Sequence, residues 1–304
     1  LVPDFGNQYD PITYNFGNFT FNAQQCWING HSKGCTIGFV AKLNNSGAWQ
    51  WVKTGGDPYN GEFGQSFTSL ETYPNGTSIV GGHYTDEISL GSFSDDRNSN
   101  GGDEDLFVAM IDTNGTWVWA SFAGQTQSQK IFDLTIDING DIFVTGYTYT
   151  ADFYFGDYLF QNNISEQGQE EYSAFVGKID RFGDWQWAKT WDSATSSSEG
   201  YSITSDSNGN VIFTGQTYGT NTVSGTGSLA SGGDENSFVA KLDSFGNWSW
   251  VKQIQCACTN TASEIIVDSN DNLIVGGTYN SVIQFDSISL PISLMLFGTT
   301  VSII

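Results

Sequence analysis

Basic side chains are scarce. Ten Lys and Arg stand against 33 Asp and Glu, a formal charge of −23 over 304 residues. Six of the ten (Lys42, Lys53, Lys178, Lys189, Lys241 and Lys252) recur at fixed places in a repeat, which leaves Lys33, Arg97, Lys130 and Arg181 scattered. No basic stripe remains to follow a phosphate backbone, which argues against nucleic acid and anionic membrane surfaces as partners. Histidine is limited to His31 and His83, and Gly-x-Ser-x-Gly and a Gly-rich phosphate loop are both missing. Those gaps remove the common nucleophile and phosphoryl-transfer machinery. No apolar run reaches the roughly 18 residues of a membrane helix. The nearest, Leu290–Ile304, is interrupted by Ser, Gly and Thr and is expected to be a strand. The chain opens on Leu1 without a basic segment and apolar stretch behind it, as expected of a processed form or a fragment.

What is present is a repeat. Phe238-Val239-Ala240-Lys241-Leu242-Asp243-Ser244-Phe245-Gly246-Asn247-Trp248-Ser249-Trp250 has three counterparts, which start at Phe39, Phe107 and Phe175. The starts lie 68, 68 and 63 residues apart. Each copy reads as an apolar strand, a Gly-containing turn and a Trp-x-Trp strand. Residues two apart on a strand share a face, so Trp49/Trp51, Trp117/Trp119, Trp185/Trp187 and Trp248/Trp250 are expected to form two-ring plates that pack between sheets. A second hairpin follows each first one. Its turns are Asn75-Gly76, Asn139-Gly140, Asn208-Gly209 and Asn270-Asp271. Two hairpins make four strands per unit, followed by a variable tail, and four-stranded sheets at a fixed period point to a β-propeller.

The motif from Phe238 to Trp250, together with Asp206-Ser207-Asn208-Gly209-Asn210-Val211-Ile212-Phe213-Thr214-Gly215, resembles the SBBP-type β-propeller repeat over roughly residues 34 to 285. That resemblance implies an extracellular module, secreted or on the cell surface, with no family-wide catalytic residues to carry over. The expected fold is all-β, with four-stranded antiparallel blades. Residues 1–35 hold entry strands and a Cys loop, and repeats follow at 36–102, 103–171, 172–234 and 235–290. A closing strand at 291–304 leaves a partial fifth blade shared by the two termini. Phe297–Val301 aligns with Gly38–Lys42, and residues 13–22 read as a fourth strand and its tail. Sheets with missing strands have open edges. The ends are expected either to complete a blade within one chain or to exchange strands head to tail into a homo-oligomer or fibre.

Several smaller features bear on function. Asp96, Asn98, Asn100 and Asp103 follow the start of a calcium loop, although Phe107 stands where its Glu belongs. Cys26, Cys35, Cys256 and Cys258 are expected to form disulfides in an oxidising compartment; of three connectivities, Cys26–Cys35 is favoured as a loop staple, which would leave Cys256 and Cys258 to pair across one residue, strained unless the loop turns sharply. Asn18, Asn44, Asn75, Asn114, Asn163 and Asn247 begin glycosylation sequons. No paired catalytic carboxylates emerge, because Asp112, Asp180 and Asp243 recur at one turn position. The expected function is a non-catalytic structural or adhesive propeller that contacts protein or glycan surfaces and has calcium as its only candidate cofactor. The alternative is a carbohydrate-binding propeller using exposed aromatics such as Trp27, Tyr59, Trp191 or Tyr218. A glycosidase is the remaining reading.

Overall fold

A computed structural model describes residues 12–23, 27–28, 31–32, 37–55, 64–85, 87–96, 103–124, 127–149, 152–155, 158–161, 172–190, 197–219, 221–223, 227–229, 235–256, 259–285, 287–290 and 301–303. The described residues are all-β and every strand pair is antiparallel. Five principal sheets follow one another along the chain. Sheet I is the hairpin Phe39–Leu43 and Trp49–Thr54. Sheet II holds Ser66–Thr72, Ser78–Thr85, Glu104–Ile111 and Trp117–Ala123. Sheet III holds Gln129–Ile136, Ile142–Thr148, Ser173–Ile179 and Trp185–Thr190. Sheet IV holds Ser198–Ser205, Val211–Tyr218, Glu235–Leu242 and Trp248–Cys256. Sheet V holds Asn260–Val267, Leu273–Tyr279 and Val301–Ile303. The hydrogen-bonded sheet therefore joins the second hairpin of one sequence unit to the Trp hairpin of the next.

Among the described residues, no sheet combines strands from both termini. Sheet I stands as a separate hairpin, and Val301–Ile303 pairs with Leu273–Tyr279 instead. That strand lies where a first Trp-hairpin strand sits in the other sheets, but its register differs from the sequence alignment, because Ile303 stands opposite Gly277. Residues 13–22 are also not the end of a fourth strand. They lie in the separate hairpin Ile12–Phe16 and Phe19–Ala23. It is one of five such short hairpins among the described residues, and the other four follow the second strands of sheets II to V. The others are Ile88–Leu90 with Phe93–Asp95, Asp152–Phe155 with Tyr158–Gln161, Asn221–Val223 with Gly227–Leu229, and Ile283–Phe285 with Ile288–Leu290. The variable tail thus contains a third hairpin.

The turns share one design. In each hairpin of the principal sheets the first turn residue donates its N–H to the carbonyl four residues on, as from Asp137 to Asp141 and from Asp206 to Asn210, both at 2.9 Å. The residue three on adopts positive φ and donates back, as Gly140 does at φ 85°. Asp271 takes this place in the turn where Gly is missing, at φ 62°. This is a type I turn closed by a left-handed residue rather than a two-residue turn. The leading carboxylate fixes it. Asp206 Oδ1 accepts the N–H groups of Asn208 and Asn210, each at 2.9 Å. A second bulge lies opposite a recurring glycine: a Cβ on Gly146 would lie 1.7 Å from the Lys130 carbonyl oxygen, and one on Gly215 would lie 1.9 Å from that of Glu199.

The sheets stack face to face, with the core in the seams between them. Ile79, Leu106 and Val108 of sheet II meet Ile131, Val144 and Phe175 of sheet III. Phe143 and Val176 of sheet III meet Phe213, Phe238 and Ala240 of sheet IV. The two indoles of each Trp-x-Trp do not form one plate. A register shift at the turn sets Trp49 opposite Leu43 and Trp51 opposite the adjacent Lys42. The same shift recurs in sheets II, III and IV. An extra residue at a bulge turns the second ring to the other face. Trp117, Trp185 and Trp248 therefore join the seam with the preceding sheet, whereas Trp51, Trp119, Trp187 and Trp250 join the seam with the next.

Substitution of Phe175, fully buried in the seam between sheets II and III, by Ala is expected to lower the unfolding free energy by about 3–5 kcal/mol in chemical denaturation. Gly146→Ala is expected to cost about 1–3 kcal/mol by the same measurement, because the Lys130 carbonyl must move. Hydrogen bonds hold the Asp112 and Asp268 carboxyls below the usual value of 3.8, led by the Thr116 backbone N–H and the Asn272 amide respectively. A depressed carboxylate stabilises the fold above its unfolded pKa, and that contribution disappears as pH falls through the folded one. The thermal midpoint is therefore expected to fall below about pH 4 as these turns protonate.

Candidate functional site

Two polar features cross the stack. The first is a ladder along the first strands of sheets II to V, built on the residue that follows the bulge: Ser69, Asp133, Ser202 and Glu264. Asp133 Oδ1 accepts from the Ser69 hydroxyl at 2.8 Å, and its Oδ2 accepts from the Ser202 hydroxyl at 3.0 Å and from Ile203 N–H at 2.9 Å. The Ser202 hydroxyl also lies 3.4 Å from Glu264 Oε1. Each rung takes a backbone N–H from the next sheet: Leu134 donates to Ser69 at 3.2 Å and Ile265 to Ser202 at 3.2 Å. Small hydroxyls alternate with carboxylates, so a single Asp ties three sheets together.

The second feature is a tyrosine cluster at the rim opposite the Asp-led turns. Tyr147 is the penultimate residue of the second strand of sheet III, Tyr149 follows that strand, Tyr172 precedes the third strand, and Tyr201 and Tyr218 come from sheet IV. Ring centroids lie 5.4 Å apart for Tyr147–Tyr172, 5.2 Å for Tyr149–Tyr172 and 6.0 Å for Tyr172–Tyr218. Phe132 meets Tyr147 edge to face at 5.5 Å and lies tilted against Tyr201 at 5.9 Å. The Tyr201 hydroxyl lies 2.6 Å from Glu199 Oε2 and 2.9 Å from Gln216 Oε1, and the Gln216 amide donates to Glu235 at 2.9 Å. Beside Tyr147, the Lys130 ammonium lies 2.7 Å from Glu104 and His83 Nε2 lies 3.8 Å from it. Burial lowers the His83 pKa to about 4 against the opposing pull of Glu104, so the imidazole is neutral at pH 7. Burial, followed by the neighbouring hydroxyls and Glu199, raises the Tyr172 and Tyr201 phenols above their usual value. The cluster therefore offers half-buried neutral rings, phenolic hydroxyls and carboxylates in one place. Such a surface suits stacking on an apolar ring face with hydrogen bonds at its edge.

The residues singled out in the sequence have varied fates. Asp96 is exposed beside the short hairpin ending at Asp95, and Asp103 accepts from Gln127 N–H at 3.1 Å; Asn98 and Asn100 lie outside the described residues. Among the described residues, no group of three or more His, Cys, Asp or Glu converges as a metal-ligand set. Cys256 ends the last strand of sheet IV, and Cys26, Cys35 and Cys258 lie outside the described residues. Asn18, Asn44, Asn75, Asn114 and Asn247 are exposed at turns, whereas Asn163 is outside the description. The Asn44 and Asn75 side chains cap their turns, and the Asn247 amide donates to Asp243 at 2.9 Å. Asp112, Asp180 and Asp243 are turn acceptors, as their recurrence indicates. Of the four aromatics proposed for ligand contact, Tyr218 falls in the tyrosine cluster. Trp27 lies in a two-residue strand, and Tyr59 and Trp191 are outside the description. Sequence reasoning missed Tyr147, Tyr149, Tyr172 and Tyr201. The available signal was that Tyr147 and Tyr218 both stand close behind the recurring Gly146 and Gly215.

Residues 123–154 match the family model of the SBBP beta-propeller repeat. That span carries an SBBP-type repeat. The matched span covers the first two strands of sheet III and the start of the hairpin beyond them. An uncharacterized WD repeat-containing protein of Acanthamoeba polyphaga mimivirus is 29% identical over 110 residues, a match covering 30% of this chain and 8% of that protein. The chain thus spans a small fraction of that relative's length. A solved streptogramin B lyase structure aligns at a TM-score of 0.34 and 13% identity, covering 81% of this chain and 54% of the lyase.

Substitution of Asp133 by Ala is expected to cost about 2–3 kcal/mol, since hydrogen bonds to a charged acceptor are lost on both sides of sheet III. In a spectrophotometric titration of the folded protein, a group of tyrosines is expected to ionise above the usual pKa near 10, led by burial of Tyr73, whose pKa rises to about 12. Tyr201→Phe is expected to remove one phenol from that late group.

Proposed function

We propose that the chain is a non-catalytic scaffold of SBBP-type repeats, secreted or displayed at the cell surface, whose rims meet protein or glycan surfaces. One observation carries this reading: the recurring carboxylates are spent on structure. Asp112, Asp137, Asp180, Asp206, Asp243 and Asp268 each accept backbone N–H groups of their own turn. Asp133 is occupied by sheets II and IV. A glycosidase needs two carboxyl groups free to exchange a proton or attack across a substrate, and the repeated acids serve as fixed acceptors instead. The high negative charge and the six sequons fit an extracellular setting.

The tyrosine cluster favours a second reading within the same scaffold. Aromatic rings packed edge to face beside Glu199 and Gln216 suit a sugar, whose apolar face lies on an aromatic ring and whose hydroxyls meet carboxylates and amides. A glycan array with the intact chain separates the two readings. Selective binding, lost in a folded Tyr172→Ala/Tyr218→Ala double variant, supports the lectin-like reading, whereas flat binding leaves the scaffold alone. Turnover of labelled glycans that disappears in Glu199→Gln would overturn the non-catalytic assignment.

A further inference from the structure

The repeat supplies its own control for the tyrosine cluster. In sheets II, III and IV the second and third strands meet in a constant register: Gly82 faces Phe107, Gly146 faces Phe175 and Gly215 faces Phe238. Three places at the rim can be matched from that register. The residue after the glycine is His83, Tyr147 or Gln216. Opposite it on the first strand stands Ser66, Lys130 or Glu199. Three residues before the phenylalanine stands Glu104, Tyr172 or Glu235. The glycine and the phenylalanine keep one residue type from sheet to sheet, as packing requires. The three rim places change type at every step, so the packing of the repeat does not dictate them.

Charge is balanced at one end of this belt and unbalanced at the other. Glu104 of sheet II meets the Lys130 ammonium of sheet III at 2.7 Å. One sheet on, Tyr172 takes the place of Glu104 and Glu199 takes the place of Lys130. An anion thus stands where the previous sheet has its cation. Among the described residues, no ammonium or guanidinium lies within ion-pair distance of Glu199 or Glu235. Both carboxylates are instead held by one chain of hydrogen bonds. Glu199 Oε2 accepts from the Tyr201 hydroxyl at 2.6 Å, and that hydroxyl lies 2.9 Å from Gln216 Oε1. The Gln216 amide donates to Glu235 Oε2 at 2.9 Å. Each carboxylate therefore keeps its Oε1 for another donor.

The same face of sheet IV carries a ring. Glu199 stands opposite Gln216, and Glu235 stands opposite Tyr218. Gln216 and Tyr218 are two apart on one strand, so all four side chains leave the sheet on one side. Burial raises the Tyr218 phenol above its usual value, and the charges of Glu199 and Glu235 push in the same direction. Tyr172 of sheet III closes on Tyr218 at 6.0 Å between centroids.

We propose that this end of the cluster binds a glycan bearing free, protonated amines, with its ammonium groups on Glu199 and Glu235 and a sugar face on Tyr218. A neutral sugar would cover two carboxylates without supplying a counter-charge, and an acidic sugar would be repelled. An ammonium is attracted both by the carboxylates and by the negative face of the ring. The inference rests on the lectin-like reading and names its ligand class.

Calorimetric titration of the intact chain with a glucosamine tetramer, and with its fully N-acetylated counterpart, tests the proposal at a pH where the amines are protonated. The amine form is expected to bind about tenfold or more tightly. Glu199→Gln and Glu235→Gln, each checked for folding by circular dichroism, are expected to reduce that preference. Tyr218→Ala is expected to weaken both tetramers. A chain of net charge −23 attracts any polycation, so Asp96→Asn, which removes the same charge from an exposed residue outside the cluster, is expected to leave the preference unchanged. Equal binding of the two tetramers, or tighter binding of the acetylated one, overturns the proposal and leaves the lectin-like reading standing. A preference that survives both amide variants, or that falls equally in Asp96→Asn, overturns it as general charge attraction. Absence of binding by either tetramer also overturns it, and the glycan array then decides the broader reading.

Discussion

The structure depends on the seam between neighbouring sheets. A four-stranded sheet satisfies its own backbone but exposes two apolar faces, and it is stable only when another sheet covers each face. Here the seam has three layers: the first-strand ladder of Ser69, Asp133, Ser202 and Glu264, an apolar middle centred on Phe107, Phe175 and Phe238, and an outer layer of indoles donating to the next turn. All three advance together from one sheet to the next. Ladder and indole bonds carry direction, so they fix how each sheet sits on its neighbour, whereas apolar burial alone would permit sliding.

The unusual charge follows from the same economy of parts. A chain of net charge −23 has few cations with which to pair its acids. Its turn carboxylates instead accept backbone N–H groups, and Asp206 adds the Lys241 ammonium at 2.7 Å. The Lys178 ammonium meets Asp141 at 2.8 Å and also reaches the Ser244 carbonyl of the next sheet at 3.2 Å. Lys42, Lys178 and Lys241 therefore join turns within a sheet or across a seam, and the acids keep each hairpin in one register.

Much of this was legible in the chain. The 68- and 63-residue spacing, the Asn-Gly turns and the apolar runs led to tandem hairpins because the signals are local and repeated. The faces of the indoles were not legible. Period-two alternation puts Trp49 and Trp51 together, and the bulge that separates them arises only when the strand pairs with Leu43 and Lys42. The short third hairpins were missed because three-residue strands such as Ile88–Leu90 carry too little pattern to stand out. The tyrosine cluster was missed for a different reason: Tyr172 and Tyr218 are 46 positions apart, and only the stacking of sheet III on sheet IV brings their rings within 6.0 Å.

The sequence by itself determined the antiparallel hairpins, their turns and their repetition, because each is written in contiguous residues whose backbone preferences act locally. The tertiary structure alone decided which hairpins share a sheet, which way each indole points, and which tyrosines meet at the rim. Those outcomes depend on pairing between distant strands and on the register of one face against another, and no stretch of neighbouring residues specifies either.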